Sequence, residues 1–334
     1  MSLQVLYARC AGLDVHKKTV VACLVLTAAS GRFTKEVRTF ATTTAGLLVL
    51  RDWLSSRGVT HVAMESTGVY WRPVFNLLEG SVEVILVNAQ HMKAVPGHKT
   101  DIRDSEWLAD LLRHGLLQAS FIPPKPIRDL RDLVRYRKSL VHAHTQATNR
   151  VQKVLETANI KLSSVASDVL GKSGRDMLEA LLSGVSDAET LADLARGRLR
   201  KKLPALREAM SGRVEDTHRT LLRHQLDLIA FLEDERDRIE GEIDQLLSPY
   251  EQLLSRLMQI PGIQRITAAA ILAEIGCDMS RFPSAKHLAS WAGVAPGNKQ
   301  SGGKRRRAPT NKGNTHLRAV LAEAVWVISH TKNN

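Results

Sequence analysis

Cysteine is scarce in this 334-residue sequence: Cys10, Cys23 and Cys277 are too few and too scattered for a disulfide framework or a zinc motif. That excludes the small disulfide-stapled class and points to a cytoplasmic setting with reduced thiols. Long apolar runs are missing as well. The longest stretch without a charged residue, "TVVACLVLTAASG" at 19–31, is too short to span a bilayer. No basic segment followed by an apolar core and a cleavage site opens the chain, so neither a membrane partner nor a secretory signal is expected. Negative charge is in deficit: 34 acidic residues face 47 lysines and arginines, for a net charge of +13. With a pI near 9.9, the chain suits a polyanionic partner.

The positive charge is unevenly placed. Residues 259–334 carry 11 basic and 3 acidic residues, and residues 121–162 carry 9 and 3. Between them, residues 163–258 carry 14 basic and 18 acidic residues. Two basic regions on either side of a mildly acidic span resemble two contact surfaces on a spacer, which favours nucleic acid over diffuse solubility charge.

Strand-like runs at 9–15, 19–27, 34–41, 60–65 and 82–88 alternate with helical patterns at 44–57, 70–79 and from about 101 onward. This predicts an α/β layer over residues 1–120 with a partly parallel sheet. After the breaker "FIPPKP" the pattern turns helical, and residues 121–258 read as a helical region. Within it Ile229, Leu232, Arg236, Ile239, Ile243 and Leu246 recur by threes and fours. Such a seam fits a helical hairpin or short coiled coil with Arg236 as a register residue, or an amphipathic helix packed on its own domain. Residues 259–334 form a third, mainly helical unit. It opens on "IPGIQRITAAAILAEIG", like half of a helix-hairpin-helix, and continues through a basic glycine-rich loop at 282–318 to a last helix.

Four acids stand out. Asp14 closes the first strand, Glu65 closes the strand at 60–65, and Asp101 and Asp104 open the helix that follows. Asp101 and Asp104 are three apart and so share a helix face, with Thr100 as a candidate N-cap. Acids in a first turn are also favoured by the helix dipole, at roughly 0.3–1 kcal/mol each. An acid at the end of an apolar strand is harder to rationalise, because an unpaired buried charge is costly. A divalent metal removes that cost, and the arrangement describes the metal site of a ribonuclease-H-like fold acting on phosphodiesters.

The motifs "GLDVHKKT", "MESTGVYW", "VNAQHMKAVPGHKTDIRDSEWLADLL" and "RFPSAKHLASWAGVAPGNKQSGGKRRR" together resemble the DEDD transposases of bacterial insertion sequences. The resemblance runs over nearly the whole chain. It implies a RuvC-like N-terminal domain, a helical or coiled-coil middle and a C-terminal transposase domain. Asp14, Glu65, Asp101 and Asp104 take the places of the four family acids and would bind Mg2+ or Mn2+. Ser301 of "QSGGK" takes the place of a catalytic serine that forms a covalent phosphoserine, which keeps the ester's energy available for rejoining strands. Gly302 and Gly303 let backbone approach DNA, and Lys304, Arg305, Arg306 and Arg307 can neutralise phosphates. On the middle helix Arg128, Arg131, Arg135, Arg137 and Lys138 are candidates for nucleic-acid contact, or else a solvated basic face.

The resemblance further implies donor and target DNA as partners and a structured guide RNA, with pairing carrying the sequence information. It implies a dimer that assembles into a tetramer, one protomer's serine meeting another's acids, and a place on the nucleoid when acting. Family members often continue with a further basic helical segment, so Trp326, Val327 and Ile328 are expected to lack part of their packing. Two rival functions need fewer residues. A nuclease that only cleaves would need the four acids but not Ser301, and a catalytically silent nucleic-acid-binding remnant would need neither.

Overall fold

The computed structural model describes residues 4–66, 68–88, 104–297, 299–301, 304–306, 309–310 and 313–330. The chain divides into two compact units, residues 1–122 and 123–334. The helical middle and the C-terminal region therefore lie in one unit.

In the first unit five strands form one mixed sheet: β1 (Arg9–Val15), β2 (Thr19–Thr27), β3 (Phe33–Ala41), β4 (His61–Glu65) and β5 (Glu83–Val87). Their spatial order is β3-β2-β1-β4-β5. The first three are antiparallel neighbours, whereas β1, β4 and β5 run parallel. Three helices accompany them: α1 (Thr44–Ser56), α2 (Trp71–Leu78) and α3 (Asp104–Arg113). Thr43 caps α1 by accepting from the Gly46 backbone N–H.

Both faces of the sheet are covered, which is why β1 and β2 read as nearly continuous apolar runs rather than alternating ones. Ala11, Leu13 and Val15 of β1 pack with α1 and α2 around Leu50, Trp53 and Val74. Cys10 packs on the opposite face with Cys23, Val25 and Ala63 against Leu108, Ala109 and Leu112 of α3. Burial pushes the Cys10 thiol up to about 12 and that of Cys23 to about 11, so neither supplies a thiolate at neutral pH.

The second unit is built on two long helices, α4 (Lys125–Thr157) and α9 (Asp216–Leu247). Between them lie α5 (Leu162–Val165), α6 (Lys172–Leu182), α7 (Ala188–Asp193), a 3-10 helix (Gly197–Lys202) and α8 (Leu203–Met210). The chain continues through α10 (Glu251–Met258), α11 (Arg265–Ile275), α12 (Ala285–Trp291), the hairpin β6 (Lys299–Ser301) and β7 (Lys304–Arg306), and α13 (Thr315–His330).

Helices α4 and α9 run antiparallel, as the ion pairs Arg137–Glu240 and His144–Glu233 require. The heptad seam is occupied within the chain. Ile229 packs with Ala147 and Val151, while Ile239 and Ile243 pack with Ile127, Leu130 and residues of α11. Arg236, between Leu232 and Ile239 on that stripe, is half-buried and pairs with Asp237 at 2.9 Å. The period fixes which residues share a face but not what that face meets, and here it meets helices of the same chain.

Candidate active site

The acids of the first unit are placed by strand register. Leu13 of β1 lies opposite Met64 of β4, so Asp14 and Glu65, one residue further on each, stand at the same level near the ends of adjacent parallel strands. Side chains alternate along a strand. Asp14 therefore shares the face of Cys10 and Gly12, and Glu65 shares that of Ala63, which is the face covered by α3.

Gly12 shows how closely the helix approaches. A Cβ there would lie 2.1 Å from the Ser105 carbonyl oxygen and 2.5 Å from the Ala109 nitrogen. The Cys10 thiol, one step back on the same face, reaches the Ala109 carbonyl oxygen at 3.8 Å. Moving along β1 from Cys10 toward Asp14 thus moves along α3 from Ala109 toward its first turn, where Asp104 stands. Lys35 of β3 holds the helix from the side, donating to Asp110 at 2.9 Å.

Gly12→Ala is accordingly expected to wedge α3 off the sheet. The intruding methyl would meet backbone rather than a flexible side-chain end, so the cost falls near the upper end of overpacking, roughly 3 kcal/mol. Gly241 of α9, where a Cβ meets nothing within 4 Å, serves as the control. Thermal unfolding should show a large loss for Gly12→Ala and none for Gly241→Ala, since alanine is favoured inside a helix by about 1 kcal/mol.

Asp14 is partly exposed, and its Oδ2 lies 3.0 Å from His16 Nε2. Ser105, next in chain to Asp104, is fully buried, and its hydroxyl has no hydrogen-bond partner among the described residues. An unsatisfied buried hydroxyl costs about 1–3 kcal/mol. Acids from three elements on one edge, beside an unsatisfied hydroxyl, are a donor set that suits a hard divalent cation. Among the described residues, however, no three His, Cys, Asp or Glu side chains stand close enough to hold a metal ion. Asp101 and its candidate cap Thr100 lie outside the described residues.

In the second unit Ser301 closes β6 and pairs with Lys304 across the hairpin, while Gly302 and Gly303 lie outside the described residues. Arg305 and Arg306 lie on β7, and Arg307 lies outside the described residues. The hairpin is tied at its base, where the Gly297 N–H donates to the Pro309 carbonyl at 3.1 Å. Below that, the Asn314 N–H donates to the Trp291 carbonyl at 2.8 Å.

All five candidate basic residues of α4 are engaged by groups of the same chain, which their helical spacing alone does not reveal. Arg135 donates from Nε and Nη2 to the two carboxylate oxygens of Glu274, each at 2.8 Å. Arg131 donates to the carbonyl oxygens of Ala273 and Glu274, closing the C-terminal end of α11. Arg137 pairs with Glu240 and Lys138 with Glu323. Arg128 donates to the Pro123 carbonyl at 3.0 Å.

Glu274 is only 2% exposed, and Asn314 also donates to it at 2.6 Å. Burial alone would raise its carboxyl, but the bonds from Arg135 and Asn314 and the charges of Arg135 and Arg131 outweigh that and hold it below the ordinary glutamate value. Asn314 Oδ1 in turn caps α13, accepting from the N–H groups of His316 and Leu317. The residue that starts the last helix is thus locked to a buried acid, a role the sequence reading did not assign. The Pro261–Gly262 turn is also engaged: a Cβ on Gly262 would lie 2.8 Å from the Ala324 carbonyl oxygen of α13.

A paired-domain chain with strand-end acids in one unit and a serine-bearing basic hairpin in the other fits an enzyme that cuts and rejoins DNA, and sequence comparison agrees. A family model for DEDD enzymes of the IS110 type, described as transposase, matches residues 11–160. A second, described as the transposase IS116/IS110/IS902 family, matches residues 254–334. The chain belongs to this transposase family. A probable family 20 transposase of Pseudomonas aeruginosa is 27% identical over 81% of this chain and 72% of its own length. The insertion element IS110 uncharacterized 43.6 kDa protein of Streptomyces coelicolor is 28% identical over 62% of this chain, which spans 55% of that relative. A pilin gene-inverting protein of Moraxella bovis is 25% identical over 87% of this chain and 73% of its own. The family suggests a divalent metal. Among the described residues no helix is long and apolar enough to cross a membrane.

Proposed function

We propose that this chain moves an insertion sequence by cutting and rejoining DNA through a covalent phosphoserine on Ser301. The observation that carries the catalytic reading is the common level and face of Asp14 and Glu65 at the end of two parallel strands, beside the first turn of α3. A five-stranded mixed sheet with acids in those places supports a ribonuclease-H-like N-terminal domain.

Asp14, Glu65, Asp101 and Asp104 would hold Mg2+ or Mn2+. The bound cation supplies charge neutralisation at a phosphate and eases loss of the attacking hydroxyl's proton. In the reaction the Ser301 oxygen bonds to phosphorus while the bond from phosphorus to a deoxyribose oxygen breaks, and that oxygen leaves as a hydroxyl once protonated. Attack on the phosphoserine by the hydroxyl of another strand reverses these steps and rejoins DNA without an external energy source. Lys304, Arg305, Arg306 and Arg307 neutralise the phosphates nearest the serine, and Arg128 extends the contact. The Moraxella relative is named for inverting a gene, and inversion requires strands to be rejoined, which favours transesterification over hydrolysis.

A structured guide RNA, a dimer-to-tetramer assembly and the pairing of one protomer's serine with another's acids complete the proposal. Their support is the family resemblance and the separation of the two sites in sequence.

The test traps the adduct. Protein, its element's noncoding RNA, Mg2+ and labelled donor and target DNA are mixed and run on a denaturing gel. A DNA-linked protein band that disappears in Ser301→Ala is expected. Cleaved DNA without an adduct, unchanged in Ser301→Ala, would leave a nuclease that only hydrolyses.

A further inference from the structure

We infer that the 3-10 segment Gly197–Lys202 is a docking site for the phosphate backbone of a nucleic-acid double helix. The inference rests on the chain acting on nucleic acid but not on the serine chemistry. It places a contact surface in the span whose overall charge is negative.

The segment reads "GRLRKK", and the cations divide by direction. In a 3-10 helix residues three apart lie one above the other. Leu199 packs against the surrounding core, and the exposed Lys202 is tied down by donating from Nζ to the Val165 carbonyl at 2.9 Å. Arg198 and Lys201 form a pair offset from these two, with Arg200 beside them, and all three are exposed.

Both ends of the segment are fastened. At the start, the Arg196 N–H donates to the Ser173 hydroxyl at 2.9 Å, and its guanidinium pairs with Asp176 at 2.7 Å. At the end, Lys202 is tied as above and α8 begins directly. The three outward cations are thus carried on a backbone held at either side, so little ordering entropy remains to oppose binding.

The nearby acids are already engaged. Asp176 takes Lys172 and Arg196, while Glu189 and Asp193 take Arg207. Arg198, Arg200 and Lys201 pair with none of the described residues. This contrasts with α4, where Arg131, Arg135, Arg137 and Lys138 all meet partners within the chain. A rigid row of three cations without counter-ions is the arrangement that gains most by displacing condensed ions from a polyphosphate.

The surroundings also say which form of nucleic acid fits. Residues 158–215 contain no Phe, Tyr, Trp or His. Binding single strands relies on aromatic platforms for the bases, and none is available here. Backbone contact to a paired helix needs only the cations.

The test measures binding of the full chain to a 40-base-pair DNA duplex of arbitrary sequence, the matching RNA duplex and a 40-nucleotide single strand, across a salt series. The variant is Arg198→Ala/Arg200→Ala/Lys201→Ala. A control, Arg51→Ala/Arg57→Ala/Arg238→Ala, removes the same charge from cations already paired to acids. Thermal unfolding should match wild type for the test variant. Its duplex affinity is expected to fall about 10–100-fold more than the control's, with the salt slope shallower by roughly 2–3. Loss on the DNA arm or on the RNA arm identifies the bound helix. Loss confined to the single strand, or no greater than the control's on both duplexes, overturns the proposal. Failure of the wild-type protein to bind any duplex would instead overturn the nucleic-acid reading on which it rests.

Discussion

Asp14→Ala is expected to abolish strand cleavage in Mg2+ while leaving duplex and RNA binding, and the fold, intact. Asp14 stands one residue before the end of β1 at the level of Glu65, on the face that α3 covers. The residue fills no core position, and its carboxylate meets the exposed His16 ring at 3.0 Å. Removing it therefore deletes one of the four proposed metal ligands without opening a cavity. A lost ligand forfeits several kcal/mol of charge stabilisation at the reacting phosphate, so the rate should drop by about 10³-fold or more.

Stability should move the other way or not at all, because acids gathered on one edge repel one another until a cation arrives. Active sites commonly trade stability for function in this manner. Cleavage kinetics and a thermal midpoint measured on the same preparation check both halves. Undiminished cleavage by Asp14→Ala would remove the metal-site proposal. Cleavage lost in Asp14→Ala but kept in Ser301→Ala would retain the metal site and remove the phosphoserine.

The first unit was legible because its sequence is locally consistent. The runs at 9–15 and 19–27 carry small and branched apolar residues, and both coincide with observed strands. The common level of Asp14 and Glu65 follows from the pairing register of β1 and β4. Less legible was everything set by what a helix face meets. Arginines at i and i+4 on α4 look the same in sequence whether they face water or a carboxylate.

One signal for the second case was available. From Ala268 to Ile275 every residue of α11 is buried, so its single acid, Glu274, has no polar face to occupy and must be met by cations from elsewhere. The docking segment at 197–202 was illegible for the opposite reason. Its composition looks like an ordinary basic turn, and only the fastening of Arg196 and Lys202 shows which cations are left outward.

Glu274→Ala is expected to destabilise the second unit more than any surface change. It would strand the Arg135 guanidinium, release Asn314 and leave a cavity at a 2%-exposed position. Breaking a buried pair costs about 3–5 kcal/mol. Since the Arg135 side chain is 30% exposed and can recover some water, the lower end applies. A loss near 3 kcal/mol lowers the midpoint of a unit this size by roughly 6–12 °C.

The acid dependence supplies the more specific check. Glu274 binds its proton less readily when folded than when unfolded. Its contribution is therefore complete above the unfolded glutamate value, about 4.3, and is lost as pH falls through the lower folded value. The midpoint gap between wild type and Glu274→Gln should hold from pH 7 to about 5 and narrow steadily below 4.3. A gap that stays constant down to pH 3 would mean that packing, and not the charge of Glu274, holds α4, α11 and α13 together. Asn314→Ala should reproduce a smaller part of the loss with the same direction of pH dependence, because its donor is one of the bonds that hold the Glu274 carboxyl down, while the Arg135 pair stays in place.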